Sequence, residues 1–211
     1  MTPFNRLTTM AVPMAEANID TDIIVPARFL LITEKAGLAR TAFYERRHDP
    51  DGNPRPDFVL NDPRYAGAQI LIAGANFGCG SSREQAVWAL AELGFRCVIA
   101  PSFGEIFAAN CARNGVLTVV LDPAIVASLM AGARALRPVT VDLCACTIST
   151  DGDVIPFAID AGRRHALVCG LDEPAMILAT HSAAIAAFER AQRTIQPWLW
   201  SQPWLWSNED G

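Results

Sequence analysis

Between residues 69 and 121 the chain alternates short apolar runs with helix-compatible segments, and a turn residue marks each change. Residues 69–73 read as a buried strand, 83–93 as a helix ended by Gly94, and 96–100 as a second strand. Residues 103–113 read as a helix ended by Gly115, and 116–121 as a third strand. A β-α-β-α-β order implies parallel strands joined by right-handed crossovers. Asp122 and Pro123 then supply an N-cap and a proline at the first helical position, for a helix ending near Gly132. From 139 to 159 two strand patterns flank Asp151-Gly152, a hairpin signal, and 174–180 and 182–193 read as closing helices.

The first crossover, residues 74–93 (GANFGCGSSREQAVWALAEL), carries the densest chemistry in the chain. Gly74, Gly78 and Gly80 let backbone N–H groups come close to a ligand, and a helix start presents unpaired donors and a positive dipole end. Arg83 adds a permanent forked cation that matches a carboxylate. The turn is not a phosphate P-loop, because no Gly-Lys-Ser/Thr closes it. It is not the dinucleotide fingerprint, because Arg83 stands where the third glycine belongs. It is not a nucleophile elbow, which needs G-x-S-x-G. A well-capped helix accounts for part of it: Ser82 with Gln85, and downstream Ser102 with Glu105, have capping-box spacing. The second serine, the arginine and three glycines exceed what a cap needs and point to a carboxylate-binding turn.

Composition limits the remaining possibilities. With 51% hydrophobic and 18% charged residues, the chain is not disordered and has more apolar surface than a lone domain hides, which implies a partner. A net charge of −5 without a Lys/Arg cluster disfavours nucleic acid and anionic membrane. No apolar run reaches the ~18 residues of a membrane span, and the N-terminus lacks a charged-then-apolar leader, so a cytoplasmic location is expected. The six cysteines are scattered without a C-x-x-C pair, and His48, His165 and His181 have no partner at triad or metal-ligand spacing. No metal or cofactor is therefore expected on this chain.

Two further segments stand apart. Asn18-Ile19-Asp20-Thr21-Asp22 reads as a turn before a strand-like run, Ile23-Ile24-Val25, that ends at Pro26. At the other end the hexamer QPWLWS occurs twice, at 196–201 and 202–207. Two copies are too few for a repeat architecture. Their tryptophans could anchor on a partner, or the duplication has no function.

Taken together, residues 18–30 (NIDTDIIVPARFL), 76–84 (NFGCGSSRE), 98–107 (VIAPSFGEIF), Gly162-Arg163-Arg164-His165 and Gly170-Leu171-Asp172 closely resemble the small-subunit family of isopropylmalate dehydratase. Such chains are the detached counterpart of the swivelling fourth domain of aconitase. The resemblance covers roughly residues 1 to 197. It implies an α/β fold of the aconitase fourth-domain (swivel) type, a β-α-β-α-β core with additional strands in a partly open, barrel-like β/β/α arrangement. The expected organisation is one domain over 1–197 and a tail over 198–211.

The resemblance also implies a hydro-lyase that isomerises 2-isopropylmalate and 3-isopropylmalate by dehydration and rehydration, in leucine biosynthesis. Ser81 would be the catalytic base as its alkoxide; Gly80, Ser82, Arg83 and Asp22 would bind substrate. The Lewis acid for the leaving hydroxyl would be a [4Fe–4S] cluster on a separate large subunit, in a heterodimer or heterotetramer. The sequence departs from the family at Gln85, where histidine is usual, and in the loop 30–38, which lacks the usual basic pattern. Two alternatives stay open: the same chemistry on another branched malate, of citraconate/methylmalate or dimethylmaleate type, and a non-catalytic carboxylate-binding or stabilising subunit.

Overall fold

Leu71, Ala73, Val98 and Ala100 belong to one hydrophobic cluster, while Ile70, Ile72, Cys97 and Ile99 belong to another. That division by alternate residues is the two-residue period of strands covered on both faces. The computed structural model describes residues 1–32 and 34–201. In chain order its elements are β1 (Arg6–Thr9), β2 (Ala11–Met14), a single helical turn α1 (Thr21–Ile24), a second turn α2 (Tyr44–Arg47), β3 (Ile70–Ala73) and α3 (Glu84–Glu92). There follow β4 (Cys97–Ala100), α4 (Glu105–Arg113), β5 (Leu117–Val120) and α5 (Pro123–Arg134). The last are β6 (Val139–Asp142), β7 (Thr147–Thr150), β8 (Asp153–Pro156), α6 (Ala161–Cys169) and α7 (Glu173–Ile195).

Two open sheets result. One runs β2-β3-β4-β5 with every pair parallel; the other runs β1-β6-β7-β8 with every pair antiparallel. Neither closes into a barrel among the described residues. Ala86, Val87 and Leu90 of α3, with Phe107 and Cys111 of α4, cover one face of the parallel sheet. Val126, Leu129 and Met130 of α5 share the other cluster with Val139, Val141 and Ile148 of the antiparallel sheet. The expected β-α-β-α-β core is present, with boundaries shifted by one or two residues.

Asp151 (φ 48°) and Gly152 (φ 92°) form the two-residue connection between β7 and β8. Both lie in the left-handed region that such a hairpin requires.

Four expectations are corrected. Ile23 and Ile24 belong to a helical turn, not a strand, because the Asp20 carboxylate accepts the Ile23 N–H at 2.7 Å and caps it. The 139–159 region holds three strands rather than two, with β6 pairing to the unforeseen β1. The helix α6 was not expected; Asp160 caps it by accepting the Arg163 N–H at 2.9 Å. The two closing helices are one continuous α7, with His181 and Ser182 in its interior.

By contact density the chain forms two units, Met1–Asp172 and Glu173–Gly211. The division falls at the start of α7, ahead of the edge set at 197 by the extent of the family resemblance. In the second unit Pro197–Leu199 form a 3-10 turn and the Arg193 guanidinium lies 4.3 Å from the Trp200 ring centroid. The second hexamer copy, 202–207, lies outside the described residues.

The α5 start is the simplest local test of this reading. Asp122 accepts the Ala124 N–H at 2.8 Å. Asp122→Ala should lower stability by about 1 kcal/mol in urea unfolding, with an unchanged slope.

Candidate active site

Three connections leave the carboxyl ends of β2, β3 and β4, and main-chain hydrogen bonds tie them together. Gly78 N–H donates to the Ile19 carbonyl at 2.7 Å, Thr21 N–H to Cys79 at 2.9 Å, and Asn18 N–H to Ala75 at 2.8 Å. On the other side Phe77 N–H donates to Ser102 at 3.1 Å and Gly104 N–H to Phe77 at 2.9 Å. The carboxyl edge of a parallel sheet is where such folds place ligands.

The close approach explains two glycines. At Gly78 (φ 72°) a Cβ would lie 2.2 Å from the Phe107 ring, and at Gly104 one would lie 2.4 Å from the Gly78 carbonyl oxygen. Glu16, in the β2 connection, accepts from Arg46 Nη1 and Nη2 at 2.7 and 2.8 Å. Hydrogen bonding from Arg46 keeps its carboxyl below the ordinary carboxylate range.

The expected residues fall as follows. Gly80, Ser81 and Arg83 line one cleft of about 180 Å³ together with Thr21, Gly104 and Glu105. Ser81 and Ser82 are both exposed, and neither hydroxyl has a hydrogen-bond partner among the described residues. Ser82 does not line the cleft. Arg83 occupies the N-cap position of α3 with an extended backbone, and its side chain is only 14% exposed. Its guanidinium pairs with the Asp22 carboxylate and reaches the Val25 carbonyl at 3.4 Å. Asp22 therefore meets the cleft through Arg83 rather than as a lining group.

No backbone N–H from Gly80 to Gln85 donates to an acceptor among the described residues. A run of free amides at a helix start, beside a guanidinium, is an anion cradle.

Neither capping box forms. Arg83, not Ser82, caps α3, and Gly104 caps α4. The Ser102 hydroxyl instead accepts the Asn76 N–H at 2.8 Å, across two connections. Asn76 (φ 57°) and Asn18 (φ 58°) both adopt the left-handed conformation, and the Asn76 amide donates to the Asn18 side-chain oxygen at 2.9 Å. Sequence reading missed Thr21, Asn18, Asn76, Ser102 and Glu105 as parts of the site. The one available signal was the Asx/Thr cluster at 18–22, which gave a turn but not its partner.

A larger cleft of about 420 Å³ runs along β5 and α6, lined by Phe103, Val120, Ile159 and Arg163. Its one carboxylate, Asp160, is the α6 cap. The histidines lie elsewhere: His48 stacks on Tyr44 at 4.4 Å, and His165 and His181 sit on α6 and α7. No three Cys, His, Asp or Glu side chains converge as a metal-binding group among the described residues.

The aconitase C-terminal domain family matches residues 1–124. The 3-isopropylmalate dehydratase small subunit of Cereibacter sphaeroides (strain KD131) is 49% identical over 202 residues, covering 94% of this chain and 100% of that protein. The same-named protein of Parvibaculum lavamentivorans is 48% identical over 204 residues, with the same coverage. In fold, the chain is similar to the crystal structure of 3-isopropylmalate dehydratase (leuD) from Methanocaldococcus jannaschii. The TM-score is 0.60 at 23% identity, covering 87% of this chain and 99% of that one.

Removing the Ser102 hydroxyl separates a stitch from a cap. Ser102→Ala should speed amide exchange at Asn76 and leave exchange within α4 unchanged, measured residue by residue by NMR.

Proposed function

The chain belongs to the 3-isopropylmalate dehydratase small-subunit family, built on the aconitase C-terminal domain, and from that membership we infer its reaction. It is the small subunit of a hydro-lyase that interconverts 2-isopropylmalate and 3-isopropylmalate by loss and re-addition of water, in leucine biosynthesis, and it acts with a large subunit. The relatives' names do not favour another branched malate or a non-catalytic role.

We propose that Ser81 is the base. Dehydration takes a proton from the carbon next to a carboxylate while the hydroxyl leaves the neighbouring carbon; the proton passes to Ser81 Oγ and returns on rehydration. An ordinary serine hydroxyl is far too weak a base near neutral pH. What supports Ser81 is its setting: an exposed hydroxyl without a protein partner, inside a turn of free amides, at the start of α3, in one cleft with Arg83. Those positive ends favour the alkoxide. Arg83 would take a substrate carboxylate with the guanidinium edge not used by Asp22, Gly80 and Ser82 would offer backbone N–H groups, and Asp22 would hold the guanidinium in place.

The leaving hydroxyl needs a Lewis acid, and the donors of this chain do not fit an iron–sulfur cluster. Cys97 and Cys111 are fully buried, and burial pushes both thiols up. Cys144 and Cys169 are exposed on other elements. We therefore place the [4Fe–4S] cluster on the large subunit, in a heterodimer or heterotetramer whose active site lies between the two chains. All six cysteines are free thiols, which fits a reducing compartment, and we propose the cytoplasm. No described helix is long and apolar enough to cross a membrane.

Reconstitution with the large subunit tests the assignment. Ser81→Ala should lower kcat by about 10²- to 10⁴-fold while assembly, followed by size-exclusion chromatography, is retained. Parent-like turnover would remove Ser81 from the chemistry. Arg83→Lys keeps the charge but loses the fork, and should lower kcat/KM for isopropylmalate about 10- to 100-fold.

A further inference from the structure

Thr21, in the first turn of α1, is one of the few polar residues in the core, at 1% exposure. Another, Thr41, satisfies its hydroxyl locally on the Leu38 carbonyl. Thr21 does not. Its hydroxyl donates across the fold to the Ser81 carbonyl at 2.9 Å, and its N–H donates to the Cys79 carbonyl at 2.9 Å. One buried residue thus holds two alternate peptide groups of the turn, on either side of Gly80-Ser81.

The peptide group is planar and trans, so its N–H points opposite to its carbonyl. Holding the Cys79 carbonyl toward α1 turns the Gly80 N–H away from it. Holding the Ser81 carbonyl does the same to the Ser82 N–H. Neither N–H has an acceptor among the described residues. Gly80 makes the arrangement possible at φ 90°, and it lies so close to α1 that a Cβ would sit 3.3 Å from Asp20 Cβ. Without the two anchors these peptides could rotate and present carbonyl oxygens, which repel negative charge.

The geometry points to Thr21 as a positioning residue: it fixes the two peptide planes that aim the Gly80 and Ser82 N–H groups toward charge developing on Ser81 Oγ. This rests on Ser81 being the base. Thr21 itself transfers no proton and touches no substrate. It sets beforehand the direction of two dipoles, so that no reorganisation is needed when the alkoxide forms.

The test uses the reconstituted two-subunit enzyme. Thr21→Val removes the hydroxyl at nearly constant volume, and Thr21→Ser keeps it. Thr21→Val is expected to lower kcat about 10- to 100-fold with KM within about threefold, and to shift the rising limb of the kcat–pH profile to higher pH. Thr21→Ser is expected to restore both kcat and the profile. Parent-like kcat in Thr21→Val overturns the inference, as does a loss that Thr21→Ser shares. A loss that tracks a lowered Tm or failed assembly, with an unmoved pH profile, also overturns it, because packing alone then explains it. Should Thr21→Val not fold, Thr21→Cys, a weak donor of similar size, replaces it with the same expectation. Ser81→Ala runs alongside: if it keeps full turnover, the base assignment fails regardless of Thr21. If it is inactive while Thr21→Val is parent-like, only the Thr21 inference fails.

Discussion

Main-chain hydrogen bonds between the connections after β2, β3 and β4 govern the geometry of this molecule. Each connection leaves the sheet with backbone groups that must find partners, and here they find one another: Ile19 with Gly78, Cys79 with Thr21, Phe77 with both Ser102 and Gly104. The pairing continues the parallel sheet for isolated residues beyond its end, at Asp20–Cys79 and Phe77–Phe103. Backbone bonds of this kind demand close approach, and close approach excludes side chains at Gly78 and Gly104. The glycines of the turn therefore serve packing first. The free amides from Gly80 onward follow from where that pairing stops.

How much of this could be read from the sequence depended on the range of the interactions involved. The run from β3 to α5 was legible because its determinants are local: β-branched apolar residues at 70–73 and 97–100, glycines after the helices, and the Asp122-Pro123 cap. The strands β1 and β2 were not. Leu7 pairs with Val141, a partner far along the chain, and Pro13 argues against a strand unless that strand lies at an edge, as β2 does. Ile23 and Ile24 favour a strand intrinsically, but the Asp20 cap and the tie from Thr21 to Cys79 override that preference.

The site shows the same division. Gly80, Ser81 and Arg83 were recognisable because their types and spacing exceed what a helix cap needs. The serine capping boxes were not what they seemed: Ser102 spends its hydroxyl on Asn76, a residue of another connection. Spacing along the chain carries no information about a partner supplied by a different loop. Thr21 was seen as one member of a turn-forming cluster, and only its buried bond to Ser81 gives it a distinct role.

The Arg83–Asp22 pair shows how a largely buried cation can persist at the edge of a cleft. A guanidinium with an 86% buried side chain and no anion beside it would carry a large desolvation penalty. Asp22, about half exposed, compensates that charge while staying at the rim of the cleft. It binds Arg83 through Nη1, the same nitrogen that reaches Val25, which leaves Nε and Nη2 without a protein acceptor among the described residues. Two carboxylates on one guanidinium repel each other unless other donors share the incoming charge. On the proposed function, the free amides at the start of α3 would be those donors, and anion binding would depend on the turn and the arginine together. Joined by the stitching of three loops, the turn and the arginine line one cleft.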